Sequence, residues 1–378
     1  MAHIRRVIRC QGCGAILQSD SKKLPGFISK SIIENGVPKI PYCNACYEKM
    51  LALNSSSLNN SIDKDAIKIL KDAVATDALI IWVIDLFSFN GTLNQDVVKK
   101  VKKLNVIILA TKKDLLQPVA EDESLSRFID ERFSEYGINP IYIQLVGKDD
   151  SIDTKGIMKK INELRKGHDV YIIGNSNSGK STFVNRVLQN FENKSKWPIK
   201  TEKYRDTNAD VLEIPLSNSS FLYELPDFSN ENSVYDRVEK EVQKIIFPKD
   251  GVEMRRYIVG EGTSIVVGGL AVLTILRSHR TSYRVFCSKK VETKNVSNKN
   301  VEAYFNRNLK RPTLSPVSKR FSSFDDFDMF EYDLDNDGLR HDIAIEGLCW
   351  FSCRGKGQTL RITLPKGAAL KETLSKVR

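Results

Sequence analysis

Gly174-Asn-Ser-Asn-Ser-Gly-Lys-Ser-Thr182 is the stretch on which the reading of this chain turns. It fits Gly-x-x-x-x-Gly-Lys-Ser, the loop that wraps nucleotide phosphates. The apolar run at 170–173 leads in as a buried strand, and residues 183–188 lead out at helical spacing, so the motif has the strand–loop–helix context it requires. Gly174 and Gly179 let the backbone fold its N–H groups around phosphate in a turn where side chains would clash. Asn175, Ser176, Asn177, Ser178, Gly179, Lys180, Ser181 and Thr182 are the expected nucleotide contacts. Lys180 is placed to reach the terminal phosphates and the Ser181 hydroxyl to ligate Mg²⁺. A lysine-containing turn without a ligand is the alternative, and the flanking pattern speaks against it.

The 378 residues are enough for two or three domains with cores. The longest apolar run, 265–276, is 12 residues with two glycines, too short to span a bilayer. The start, Met-Ala-His-Ile-Arg-Arg, lacks the apolar segment of a signal peptide, so a cytoplasmic protein is the expectation. The 7 cysteines are an odd number, and a reducing compartment disfavours disulfides in any case. Net charge is +11, and residues 277–320 alone hold 12 Lys/Arg against 2 Glu. A basic block of this size suggests a polyanionic partner, with nucleic acid the commonest. A solvated face without a partner is the competing reading.

Cys10-x-x-Cys13 and Cys43-x-x-Cys46 form two knuckles 29 residues apart. Each short turn presents two thiolates to one face of a metal, which suits a tetrahedral Cys₄ zinc site of structural type. A redox Cys-x-x-Cys would need a thioredoxin-like strand and helix, and none is apparent. A treble-clef-like zinc module over residues 1–54 follows, with a linker in the Ser/Asn-rich stretch 54–61.

From residue 62 helical patterns alternate with continuous apolar strands at 79–84, 106–110 and 141–145, and then with the strand before the phosphate loop. Unbroken apolar strands linked by helices indicate an α/β domain, a parallel sheet covered on both faces. Thr111-Lys112-Lys-Asp114 follows directly on the 106–110 strand and fits the Asn/Thr-Lys-x-Asp guanine-reading motif of GTPases. The Asp114 carboxylate can accept from the N1–H and the N2 amino group of guanine, which adenine lacks, and the Lys112 stem can lie along the base.

The order of these parts is inverted. In ordinary GTPases the phosphate loop comes first; here Thr111–Asp114 precedes it. The chain therefore resembles a circularly permuted Ras-like P-loop GTPase. Asp85-Leu-Phe-Ser-Phe-Asn-Gly91 is similar to the Asp-x-Phe-x-Phe-Asn-Gly signature of the YqeH family, which also carries an N-terminal Cys-x-x-Cys…Cys-x-x-Cys module. Glu261-Gly…Gly-Gly269-Leu and Leu364-Pro-Lys-Gly367 resemble its C-terminal landmarks. The resemblance implies a GTPase, hydrolysing GTP to GDP and phosphate, that binds ribosomal RNA and assists assembly of the small ribosomal subunit, with ribosomal proteins as further partners. It also implies Thr207 for switch I and Glu224 for switch II, joining Lys180 and Ser181 at the reacting end.

Both switches depart from the family pattern. Asp206-Thr-Asn-Ala-Asp210 stands in place of Gly-Thr-Thr-Leu-Asp, and Glu224-Leu-Pro-Asp227 in place of Asp-Thr-Pro-Gly. Asp227 brings a carboxylate toward a phosphate where a glycine amide belongs. Guanine-nucleotide binding is the expectation that survives these changes, and turnover is the step they put in question. Two other classes compete: a non-hydrolysing scaffold with nucleotide as a structural ligand, and an ATPase or kinase, which would have to ignore Thr111–Asp114.

The remaining segments divide as 55–229 for the GTPase domain and 230–378 for a basic α+β or mostly β module. Residues 234–247 read as a helix, and 263–267, 271–276, 283–287, 343–345, 349–352 and 358–364 as short strands. Tyr283, Phe286, Tyr304, Phe305 and Phe321, interleaved with the basic block, suit single-stranded RNA, although strand spacing equally allows core positions. Asp333-x-Asp-x-Asp337-Gly copies half of a calcium loop but has Ala344 where the bidentate acid belongs, so an acidic turn is expected. His168 reads as a loop histidine.

Overall fold

The computed structural model describes residues 10, 15, 17–30 and 43–45 of the first fifty. Beyond them it describes 56–376, apart from 90–92, 117–118, 148–153, 190 and 229–231. Helix α1 (Ser56–Ala75) begins inside the stretch expected as a linker. Its residues Ala66, Ile69, Leu70 and Ala73 are buried at helical spacing, and once that face is docked each further residue adds a hydrogen bond at little cost.

After α1 come β1 (Leu79–Asp85), α2 (Gln95–Val101), β2 (Val106–Thr111), α3 (Lys113–Leu116), α4 (Asp122–Glu135), β3 (Tyr142–Val146), α5 (Thr154–Leu164), β4 (Val170–Gly174) and α6 (Lys180–Gln189). The strands β5 (Lys200–Lys203), β6 (Asp210–Pro215) and β7 (Phe221–Glu224) follow. They form one seven-stranded sheet in the order β3-β2-β1-β4-β7-β6-β5. β3, β2, β1, β4 and β7 are parallel, and β6 and β5 add antiparallel at the far edge. The interior strand β1 shows why its sequence is apolar throughout. Ile80, Trp82 and Ile84 enter the core under α1, α2 and α4, whereas Leu79, Ile81 and Val83 enter the one under α5 and α6. Both faces are covered, as expected of an unbroken apolar strand.

The rest of the chain opens with a 3-10 turn (Tyr235–Arg237) and α7 (Lys240–Ile246) in place of the single helix expected. Val238 is extended between them, and the Gln243 side-chain amide donates to the Tyr235 and Val238 carbonyls, replacing the helical bonds that the break removes. Then follow β8 (Val252–Val259), β9 (Thr263–Val267), β10 (Ala271–Arg277), β11 (Thr281–Ser288), β12 (Thr293–Ser297), α8 (Val301–Lys310), β13 (Phe327–Asp333), β14 (Arg340–Ile345), β15 (Cys349–Arg354), β16 (Thr359–Pro365) and β17 (Leu370–Leu374). They make two antiparallel sheets, β12-β9-β10-β16-β13 and β17-β14-β15-β11-β8. Ile265, Val267, Leu273 and Ile275 of the first meet Tyr283, Val285, Ile343 and Phe351 of the second in a shared core, a sandwich of two half-apolar sheets. Helix α8 closes the other face of the first sheet through Phe305 and Leu309.

The outer face of the second sheet rests on the seven-stranded domain. Phe286 and Trp350 stack at 4.7 Å, and Trp350 meets Phe87, just past β1, at 6.4 Å. Lys376 is buried there, with its ammonium 3.9 Å from the Trp350 ring centre. Desolvation lowers its pKa, opposed by Asp342, Glu346 and Asp85. Among the described residues no helix is long and apolar enough to cross a membrane.

Candidate nucleotide site

The phosphate loop joins β4 to α6. Gly174 is required by contact: a Cβ there would lie 2.7 Å from the backbone carbonyl of Val83 and 2.7 Å from Ser178 Oγ. At the other end Gly179 takes φ +94°, in the left-handed region that favours glycine. Asn177, at φ +62°, makes the turn between them, a conformation asparagine tolerates better than most residues. Ser176, Asn177 and Thr182 are exposed, whereas Asn175, Ser178 and Lys180 are buried. Ser178 Oγ is buried against Gly174 without a hydrogen-bond partner among the described residues.

The guanine-type motif lies directly against this loop. Thr111, at the end of β2, donates its hydroxyl to the Ile84 carbonyl at 3.0 Å and to the Ser178 carbonyl at 2.5 Å. β1, β2 and the phosphate loop are thereby tied at one side chain. Lys112, at φ +63°, turns the chain into α3, where Asp114 stands half-buried. The Lys112 ammonium pairs with Asp85 at 2.6 Å and lies 4.9 Å from the Phe247 ring centre. Asp85 also accepts from the Phe87 amide at 2.8 Å, which orients the carboxylate. Asn90 and Gly91, the end of that string, lie outside the described residues.

At the opposite side Lys180, Ser181 and Glu224 converge. Ser181 donates its hydroxyl to Glu224 Oε1 at 3.2 Å, so the residues expected near Mg²⁺ are in contact across the β4–β7 ladder. The Lys180 ammonium is 3.6 Å from Glu224, 2.9 Å from Asp227 Oδ1, and donates to the Leu225 carbonyl. Thr207 is not brought to this group. Its hydroxyl donates to the Tyr204 carbonyl and accepts from the Ala209 amide, closing its own turn. The Asn208 amide donates to Asp65 of α1, and Lys68 donates to the Asp206 carbonyl, so the switch I turn is held against α1.

Phe228 and Lys376 are two buried residues that motif reading passes over, and the pairing of Asp85 with Lys112 is a third feature it does not give. Asp85 was legible only as part of a signature. Phe228, 2% exposed, follows directly on Glu224-Leu-Pro-Asp227 and could have been suspected as a second apolar anchor after Leu225. Lys376 gives no local signal, because its burial depends on a sheet packed from elsewhere.

At the N-terminal end Cys10 and Cys43 are both buried, and the Cys43 amide donates to Cys10 Sγ at 3.2 Å. Cys13 and Cys46 lie outside the described residues. Among the described residues no group of three or more His, Cys, Asp or Glu assembles as a metal cluster. In the C-terminal sandwich, Tyr283, Phe286 and Phe305 are core residues and cannot stack on a base. Tyr304 is half-buried, with the Lys294 ammonium 5.5 Å from its ring centre, and Phe321 is half-buried. Two of the acidic turn's carboxylates are engaged internally: Asp337 faces His341 at 2.9 Å, and Asp333 accepts from Thr359. His168 Nδ1 lies 3.0 Å from the Thr76 carbonyl, in a structural contact. Cys287, Cys349 and Cys353 are buried thiols, and desolvation pushes Cys287 up to about 11.

A parallel α/β sheet with a phosphate loop at its centre and a base-reading motif braced against it defines the P-loop GTPase class. Residues 169–247 match the family described as 50S ribosome-binding GTPase. The chain is 24% identical over 95% of its length to the uncharacterized protein YqeH of Bacillus subtilis, covering 96% of that protein. It is also 22% identical to NO-associated protein 1, chloroplastic/mitochondrial, of Arabidopsis thaliana, over 91% of this chain and 69% of that one. A protein of Oryza sativa subsp. japonica described as a putative nitric oxide synthase is 21% identical over 82% of this chain and 62% of its own. The chain is thus similar to YqeH over nearly its whole length, with the GTPase family match including the phosphate loop.

Proposed function

We propose that this chain binds guanine nucleotide and Mg²⁺, engages ribosomal RNA in the small ribosomal subunit, and assists that subunit's assembly in the cytoplasm. The observation that carries the reading is the Thr111 hydroxyl on the Ser178 carbonyl, which makes base motif and phosphate loop one structural unit. Asp114 and Lys112 would hold the guanine, the 174–182 loop and Lys180 the phosphates, and Ser181 the Mg²⁺, with Glu224 supporting. The ion would supply charge neutralisation at the phosphates. In this reading the domain is a circularly permuted Ras-like one, supported by β1 and β2 preceding β4 in the chain while β1 lies beside β4 in the sheet and β2 beyond β1. The permutation makes switch II lead directly into the C-terminal region, so a change around the phosphates is transmitted covalently.

The exposed bases on β12, α8 and their connections, among them Lys294, Lys299, Arg307, Lys310 and Arg311, provide the RNA-facing surface. Residues 1–54 form a structural zinc module in this reading, with Cys10, Cys13, Cys43 and Cys46 as ligands. The contact between the Cys43 amide and Cys10 Sγ supports it, because amides directed at sulfur stabilise thiolates.

The test is direct. Labelled GDP is competed by unlabelled guanine but not adenine nucleotides, and Lys180→Ala and Asp114→Ala each abolish binding. Sedimentation with small subunits is salt-sensitive and is reduced by charge reversal at Lys310 and Arg311. Competition by ATP equal to that by GTP refutes the guanine assignment. A second reading, a scaffold that binds nucleotide without turning it over, is favoured by the Lys180–Asp227 pair. Absence of phosphate release with and without subunits, alongside tight binding, selects it.

A further inference from the structure

The ladder that joins β4 to β7 continues beyond the strands. The Leu225 amide donates to the Ile172 carbonyl at 3.1 Å and the Phe228 amide to the Gly174 carbonyl at 3.1 Å. The Ser176 amide donates back to the Phe228 carbonyl at 3.0 Å. An Asn175–Phe228 bridge thus carries parallel pairing onto the phosphate loop itself. The Phe228 ring, buried in the core beneath, anchors the segment. Residues 225–228 are therefore fastened to the loop on both sides of Asp227.

This fastening delivers the Asp227 carboxylate to the Lys180 ammonium at 2.9 Å. The Lys180 side chain is only 4% exposed and that of Asp227 is 39% exposed, so Asp227 is the more solvent-facing member of the pair. An ammonium has three N–H donors. One goes to the Leu225 carbonyl and one to Asp227, and the third faces Glu224 at 3.6 Å, too long for a hydrogen bond, so it is the donor a ligand can take.

We propose that Asp227 is a built-in surrogate for the terminal phosphate, which makes the site selective for guanosine diphosphate over the triphosphate. The proposal rests on the guanine-nucleotide reading above. In a diphosphate complex, Lys180 gives its remaining donor to the β-phosphate and keeps Asp227. A triphosphate sets the γ-phosphate charge against a carboxylate held in place by three backbone hydrogen bonds and a buried phenyl ring. Either two like charges share one ammonium, or the 225–228 ladder opens. Proline at 226 narrows the conformations through which it can open.

The test is calorimetric titration of the full chain with GDP, GTP and a non-hydrolysable GTP analogue at fixed Mg²⁺. It is repeated on Asp227→Asn, which keeps the shape and removes the charge, and on Asp227→Gly. The native chain binds GDP more tightly than either triphosphate by about tenfold or more, and Asp227→Asn closes most of that gap by tightening the triphosphate side. Equal affinity of the native chain for GDP and GTP, or a gap unaltered in both variants, overturns the inference and leaves guanine binding intact. Absence of binding to any guanine nucleotide by a chain with native circular dichroism takes the underlying reading down with it.

Discussion

Replacing Thr111 by valine tests whether base reading and phosphate holding are mechanically one site. The substitution nearly conserves volume and removes one hydroxyl, which has a single proton to share between the Ile84 carbonyl at 3.0 Å and the Ser178 carbonyl at 2.5 Å. Thr111 is 7% exposed, so water cannot readily replace the lost donor. The net value of such a bond is ~1 kcal/mol, and a buried carbonyl left unsatisfied adds a cost on the order of 1–3 kcal/mol. The shorter bond goes to the loop, so the greater part of this cost falls on Ser178, whose neighbour Gly179 packs against the Thr111 methyl region. An added Cβ at Gly179 would sit 3.2 Å from Thr111 Cγ2. If roughly 1–2 kcal/mol of loop order is lost, nucleotide affinity falls about 5- to 30-fold. Calorimetric titration with GDP measures it, with Thr111→Ser as the control that restores the hydroxyl and most of the affinity. Native affinity in Thr111→Val, with the thermal midpoint lowered or not, refutes the coupling.

The same geometry makes Gly174→Ala severe: its Cβ meets the Val83 carbonyl at 2.7 Å, backbone that cannot step aside, so a stability loss of ~1–3 kcal/mol in thermal melts and loss of nucleotide binding are expected. His341 supplies a pH dependence. Burial disfavours its charged form, but Glu372 at 2.6 Å and Asp337 at 2.9 Å outweigh burial and raise its pKa. Its contribution is therefore fully present below the unfolded value of about 6.5 and is lost as pH rises through the elevated folded value, so the native melting midpoint falls over that window while that of His341→Gln does not. For the zinc module, purified chain should release one equivalent of zinc per chain to a thiol reagent monitored with a chromogenic chelator, and Cys10→Ser should lower the amount bound; native protein carrying no zinc would count against the module.

Legibility in the sequence followed how local each signal was. β1, β2 and β4 were readable because a strand buried on both faces must be apolar at every position, as residues 79–84 are. The phosphate loop and Thr111–Asp114 were readable because glycine, lysine and carboxylate requirements are met within a few consecutive residues. β13 was hidden in the acidic run, since an edge strand with Asp328, Glu331 and Asp333 toward solvent has no apolar continuity to reveal it. α8 was hidden in the basic block for the same reason: only Phe305, Asn308 and Leu309 of its ten residues are buried. The aromatic residues misled in the opposite direction. Tyr283 and Phe286 lie beside arginine in the sequence, but strand alternation turns them into cores, leaving Tyr304 as the aromatic with a cation at its face.

What no local pattern could foretell is how the two halves of the chain meet, and that contact joins the remaining observations. Asp85 closes β1, pairs with Lys112 of the base motif, and is among the carboxylates that oppose desolvation of Lys376. Lys376 lies between Trp350 of the second sheet and Phe128 of α4, with ring centres at 3.9 and 5.9 Å. The C-terminal sheet therefore bears on the end of β1 through the Trp350–Phe87 contact and on α4 through Lys376, while residues 225–228 lead from the phosphate loop toward the same C-terminal region. The two ends of the nucleotide site, base and terminal phosphate, touch the C-terminal sandwich by different routes, one by packing and one by covalent connection. A ligand that moves only one of them strains the other. A buried ammonium among carboxylates tolerates little displacement, because separating the charges leaves each desolvated and unpaired. Under the proposed function, rearrangement at the phosphate end is expected to carry the sandwich with it while the Lys376 contacts with Trp350 and Phe128 hold.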